Sequence, residues 1–182
     1  MTAVCAATNL PVVVYDIPVR TGRKISTATL VKLANEVKNV AALKDASGNP
    51  AETAMLMTQM PKSFELLSGD DGLTLPLMAI GAVGVIGVAT HWTGVDHQEM
   101  FKKWNAGDIL GARAVNARML ESFAFETGDE NPNPLPSKAM MNHLGLSVGD
   151  ARLPMGPPPS GLAERAAKVL SNLQAARAAA SR

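Results

Sequence analysis

Apolar residues fall first into short unbroken runs and later into helical spacing, and the change divides the chain. Pro11-Val-Val-Val-Tyr15 is rich in β-branched residues and bounded by turn formers, the mark of a strand buried on both faces. A loop with Pro18 and Gly22 follows. Ser26 is placed to cap a helix reaching about Lys38, because Leu30, Leu33, Ala34 and Val37 share one face. Val40 to Lys44 predicts a second strand. Asn49-Pro50-Ala51-Glu52 then joins a cap, a proline at the first helical position and an acidic first turn, so a helix is expected through about Met60. The rhythm repeats with a strand at Phe64 to Ser68, a short helix at Leu73 to Ile80 and a strand at Gly84 to Ala89. Asp96-His-Gln-Glu99 is read as the cap of the next helix, which reaches Ala106.

Four such strand and helix pairs imply parallel strands with right-handed crossovers, covered on both sides. From Asp108 onward only helices are predicted, at about 108–125, 136–145 and 161–180. Asn131-Pro-Asn-Pro-Leu-Pro136, Pro154 and Pro157-Pro-Pro159 separate them. The last helix is alanine-rich and carries Arg177 and Arg182, cations suited to a helix C-terminus. The expected organisation is an α/β portion over 1–107 and a helical portion over 108–182.

Composition narrows the function classes. The 182 residues carry 17 Lys+Arg against 16 Asp+Glu, a net charge of +1, which argues against nucleic acid or an anionic membrane as partner. With 47% apolar and 18% charged residues the chain suits a packed domain. Gly72 to Val95 lacks charges for long enough to span a bilayer, but Pro76 and five glycines break it, so no membrane helix is expected. Cys5 is the single cysteine, which permits no internal disulfide, and no cleavable signal is visible, so a cytoplasmic address is expected.

In a parallel α/β arrangement chemistry gathers where strands end, here at Tyr15, Lys44, Ser68 with Gly69-Asp70-Asp71, and Ile86. A lysine closing the apolar run Val40-Ala-Ala-Leu43 has two readings. It snorkels to solvent or pairs with Asp45, or it is a desolvated amine and therefore a nucleophile. Tyr15 is either a core aromatic or a phenol facing the same cavity, and the two residues end adjacent strands. Arg20, in the following loop, is either a solvated charge or a clamp for a carboxylate. Asp70 and Asp71 suit the cap of the short helix better than a catalytic pair. Gly81-x-x-Gly84-x-x-Gly87 is not a dinucleotide fingerprint, and His91, His97 and His143 lack metal-ligand spacing.

Tyr15-Asp-Ile-Pro-Val-Arg20-Thr-Gly22, Leu43-Lys44-Asp-Ala-Ser-Gly48-Asn, Leu67-Ser-Gly-Asp-Asp71 and Gly84-Val-Ile86 together resemble the dihydrodipicolinate synthase family. Asn133-Pro-Leu-Pro136, His143-Leu-Gly-Leu146 and Arg152-Leu-Pro-Met155 extend the resemblance to about residue 170. It implies a class I aldolase on a (β/α)8 (TIM) barrel that condenses pyruvate with aspartate semialdehyde on the way to lysine, as a homo-oligomer without cofactor or metal. Lys44 would form the imine, Tyr15 would relay protons, Arg20 would hold the semialdehyde carboxylate and the Ile86 carbonyl would face the pyruvate. Gly87 stands where some members carry serine, a difference expected to be minor. A full barrel takes about 250 residues and eight strands. By resemblance this chain reads as the C-terminal half of one, four parallel strands with helices, followed by the all-helical extension. The paired threonines and second tyrosine of the family lie outside the matched portion, so the chain alone is expected to be inactive. The relatives N-acetylneuraminate lyase and the keto-deoxy sugar acid aldolases share the Tyr and Lys, and the Arg-Thr-Gly sequence favours the synthase. A noncatalytic half-barrel that only associates with other chains is the reading from another class.

Overall fold

The computed structural model describes residues 1–128 and 130–180, which form two compact units, Met1–Gly87 and Val88–Arg182. Arg182, one of the two cations assigned to the end of the last helix, lies outside the described residues.

The first unit opens with α1 (Thr2–Ala6), β1 (Val12–Asp16) and α2 (Pro18–Thr21), a single turn that replaces the expected loop and ends on Gly22 at φ 70°. Helix α3 (Thr27–Glu36) begins as predicted, with Ser26 Oγ accepting from Thr29 N–H at 3.3 Å. Next come β2 (Val40–Asp45) and α4 (Pro50–Met57), with Asn49 Oδ1 accepting from Glu52 N–H at 3.2 Å. Then β3 (Glu65–Ser68) leads through a 3-10 turn, Asp71–Leu73, into α5 (Thr74–Met78) and β4 (Gly84–Val85). Asp70 caps that turn, accepting from Leu73 N–H at 3.2 Å. The sheet order is β1-β2-β3-β4, every pair parallel, as the repeating pattern requires.

Two strand expectations change. The helices bury one face of the sheet, where Val14, Leu43 and Leu66 form a rung packed with Leu30, Leu56 and Leu77. On the other face Val13 and Tyr15 are each 42% exposed, so β1 is not buried on both sides within this chain. An uninterrupted apolar run reports burial but not which polypeptide provides it. The fourth strand, expected to reach Ala89, ends at Val85, with one further ladder bond from Ile86 N–H to Ser68 O at 2.8 Å.

The second unit is helical: α6 (Thr90–Asn105), α7 (Ile109–Glu126), α8 (Leu135–His143) and α9 (Leu162–Ala180). The division at 87/88 lies ahead of α6, whereas the sequence pattern placed it after that helix. Helix α6 packs on α7, which groups it with the helices that follow. It also begins six residues before Asp96, which corrects the expected cap. Its start is held from a distance, the Glu126 carboxylate accepting from Ala89 N–H at 2.8 Å. Asp96 sits inside the helix with no exposed surface. It pairs with Arg118 of α7 at 2.8 Å and with Arg177 of α9, whose Nε donates at 3.1 Å and whose Nη2 donates to Trp92 O at 2.9 Å. Among the described residues no helix is long and apolar enough to cross a membrane.

Candidate active site

Register fixes a row of residues across the C-terminal rim of the sheet. Tyr15 lies opposite Lys44, Lys44 opposite Leu67, and Leu67 opposite Gly84. Because side chains alternate along a strand, this row faces the open side, and the next one, Asp16, Asp45, Ser68 and Val85, faces the helices. Lys44 and Tyr15 meet: the ammonium nitrogen stands 3.8 Å from the ring centroid, a cation over a π face. Lys44 is half-buried.

Room for the Lys44 stem depends on Gly69, at the end of β3. A methyl group there would stand 3.0 Å from Lys44 Cγ, 3.0 Å from Asp45 O and 3.1 Å from Ala46 Cβ. The Gly69 N–H also donates to Asp45 O at 2.7 Å, and the Ala46 and Ile86 N–H groups donate to Asp16 O and Ser68 O at 2.9 and 2.8 Å. The ladder therefore runs past the strand ends and brings Ile86 to the rim beside β3.

Arg20 lies in the single turn of α2, within the excursion from Ile17 to Ile25. Its guanidinium is exposed and has no hydrogen-bond or ion-pair partner among the described residues, so it is not joined to Tyr15 or Lys44 as they are to each other. The excursion is well tied. Thr21 Oγ1 donates to Ile17 O and Arg23 O at 3.1 and 2.9 Å, and Lys24 Nζ reaches Glu52 Oε1 at 2.6 Å.

On the reverse face a polar network lies behind the two strand ends. Asp16 Oδ1 accepts from Ile25 N–H at 3.1 Å; Asp45 accepts from Ser47 N–H at 2.8 Å and from the Thr53 hydroxyl. Glu52 also accepts from Thr27 Oγ1 at 3.0 Å. Burial pushes the Asp16 carboxyl above the usual aspartate range, opposed by the Ile25 N–H and Lys24 and reinforced by Asp45 and Glu52. Hydrogen bonds from Lys24 and Thr27 hold Glu52 below the usual range. The pairing of Lys44 with Asp45, one of the two sequence readings, does not occur, because adjacent strand residues point to opposite faces. Neighbouring residues in the sequence do not mark Asp16, Asp45 and Gly69 as supports of the site. The period of two was the signal for the carboxylates, whereas the need for glycine at 69 comes from β2 beside it.

Gly87 is also more constrained than its place beside the rim suggests. A Cβ there would lie 2.1 Å from Oδ1 of Asp71, a residue only 1% exposed, so the exchange with serine is not minor in this fold. Asp71 is thus packed against the backbone after Ile86, while Asp70 caps the turn.

The profile of the dihydrodipicolinate synthetase family matches residues 1–173. The 4-hydroxy-tetrahydrodipicolinate synthase of Moorella thermoacetica is 43% identical over 155 residues, covering 84% of this chain and 51% of that protein. The enzyme of the same name from Microcystis aeruginosa is 40% identical over 173 residues, covering 95% and 57%. The solved 4-hydroxy-tetrahydrodipicolinate synthase of Methylacidiphilum fumariolicum SolV superposes with a TM-score of 0.89 at 31% identity, over 97% of this chain and 58% of that one. The chain thus spans little more than half the length of the relatives it matches, and its four strands and helices match part of a TIM barrel.

Proposed function

The chain belongs to the dihydrodipicolinate synthetase family, and from that premise we propose that it carries the imine-forming portion of a pyruvate-dependent lyase. The observation that supports this most directly is the amine of Lys44 poised 3.8 Å over the Tyr15 ring at a strand-end rim. In this reading the Lys44 nitrogen, once it has given up a proton, attacks the ketone carbon of pyruvate. The carbinolamine hydroxyl takes a proton and leaves as water, giving the imine. Tyr15 carries protons in these steps, since a phenol both donates and accepts. Loss of a methyl proton gives the enamine, whose carbon attacks the aldehyde of aspartate semialdehyde. Arg20 holds that substrate's carboxylate, for which its unpartnered guanidinium is suited, and the Ile86 carbonyl lies against the bound pyruvate.

Arg20 in the Arg-Thr-Gly sequence favours the semialdehyde over the sugar acids of sibling aldolases. Activity needs the remainder of the barrel, so the chain alone lacks turnover; the same reading makes it part of an oligomeric enzyme of the cytoplasm. Its exposed inner face, with Val13 and Tyr15 each 42% exposed, also favours a second reading, a half-barrel whose role is association alone.

Reductive trapping separates the two. The chain, complemented with the portion of the Moorella protein that it does not span, is incubated with pyruvate and borohydride. The peptide containing Lys44 gains the mass of the reduced adduct, and Lys44→Arg abolishes it, because a guanidinium is not a useful nucleophile. Labelling elsewhere, or none, overturns the assignment. In the same system Arg20→Ala lowers turnover with aspartate semialdehyde roughly 10- to 150-fold, the worth of a charge-assisted contact, and leaves pyruvate trapping intact.

A further inference from the structure

Arg20 gains nothing from its own contacts, so whatever aims it must act through the backbone of the Ile17–Ile25 excursion. Ile17, at the outgoing end, continues directly from β1. The returning end is fixed on the far side of the sheet, where Ile25 N–H donates to Asp16 Oδ1 at 3.1 Å. Asp16 is only 2% exposed, stands next to Tyr15 and shares a rung with Asp45. We propose that Asp16 is a positioning residue for Arg20: its buried carboxylate closes the excursion from behind, so that the α2 turn carrying the guanidinium is held beyond the C-terminal end of β1. The proposal rests on the reading of Arg20 given above only for what that guanidinium grips.

Two features make Asp16 the principal tie. The neighbouring Lys24–Glu52 bridge joins side chains 30% and 37% exposed, where water competes for both partners, whereas Asp16 has almost no solvent to turn to. The void lined by Asp16, Lys24, Thr27, Asp45, Glu52 and their neighbours is about 10 Å³, so in the intact protein little water competes with the carboxylate for the Ile25 N–H. The groups facing the carboxyl are Lys24 from the excursion, Asp45 from β2 and Glu52 from α4. Two of these three are acidic, and the carboxyl titrates above the usual range as a result of burial reinforced by them.

Hydrogen exchange on the chain itself tests this without any catalytic readout. In Asp16→Ala the amides of residues 17–25 exchange about tenfold faster or more, while peptides from β2, α3 and α4 keep their rates. Asp16→Asn restores protection at neutral pH, because the amide oxygen still accepts from Ile25 N–H. Corrected for intrinsic rates, protection of Ile25 in the wild type falls as pH drops through the titration of Asp16, since a neutral acid is a weaker acceptor than a carboxylate. The Asn variant shows a flat profile. Unchanged exchange at 17–25 in Asp16→Ala, loosening spread equally over the whole unit, failure of Asn to rescue, or an identical pH profile in Asp16→Asn would each overturn the proposal. A positive exchange result with no effect of Arg20→Ala on turnover would instead count against the role given to Arg20.

Discussion

Replacing Asp96 with alanine distinguishes two accounts of the same residue by magnitude. As a helix cap it would be worth about 1 kcal/mol. The structure instead places its carboxylate, with no exposed surface, between Arg118, whose side chain is 11% exposed, and Arg177, 30% exposed. Removing one member of a buried ion pair costs about 3 to 5 kcal/mol, because the charge left behind has lost its solvent. Arg118 keeps Glu99 as a partner and Arg177 regains some water, which favours the lower end, about 3 kcal/mol. For a unit the size of Val88–Arg182 each kcal/mol moves the melting temperature by about 4–8 °C, so the helical unit should melt about 12–24 °C lower. Both tryptophans, Trp92 and Trp104, lie on α6, so their fluorescence reports on this unit directly. The acid limb gives a second reading. Burial works against the Asp96 charge, but the hydrogen bonds and charges of Arg177 and Arg118 outweigh it and hold the pKa below the ordinary aspartate value. A depressed carboxylate pKa contributes stability that is fully present above the unfolded value, about 3.9, and is lost as pH falls through the folded value. Wild type and Asp96→Asn should therefore differ at neutral pH and converge in strong acid. A loss near 1 kcal/mol, or a constant gap down to low pH, would refute the buried-pair account.

Gly87→Ser should lower thermal stability clearly, since its Cβ falls on the Asp71 carboxylate, and the cost should shrink in an Asp71→Ala background; equal cost in both backgrounds would dissociate the pair. Gly69→Ala crowds Lys44 Cγ at 3.0 Å against backbone that cannot retreat, so reductive trapping on Lys44 in the complemented protein should slow at least several-fold, and an unchanged rate would show that the stem has room. Sedimentation of the purified chain should reveal self-association, weakened by Val13→Asp on the open face, because monomers rarely expose an apolar sheet face with unpaired edges. A compact monomer would contradict that expectation.

Local chemistry determined much of this protein. Strand and helix order, the caps at Ser26, Asn49 and Asp70, and the chemical promise of Tyr15 and Lys44 depend on neighbours a few residues away, so they are legible in the chain itself. Tertiary structure decided what depends on residues far apart in sequence. Helix α6 begins at Thr90 because Glu126, 37 positions on, accepts from Ala89 N–H, and no local cap signals that start. Asp96 looks like a cap until α7 and α9 bring their arginines to it. The partner of Lys44 is not adjacent Asp45 but Tyr15, which strand register places directly opposite. Gly69 and Gly87 are held to glycine by Lys44 and Asp71, whose approach exists only once the sheet has formed. Covering of the inner sheet face stays undetermined by periodicity, because an apolar run demands burial without specifying the chain that supplies it.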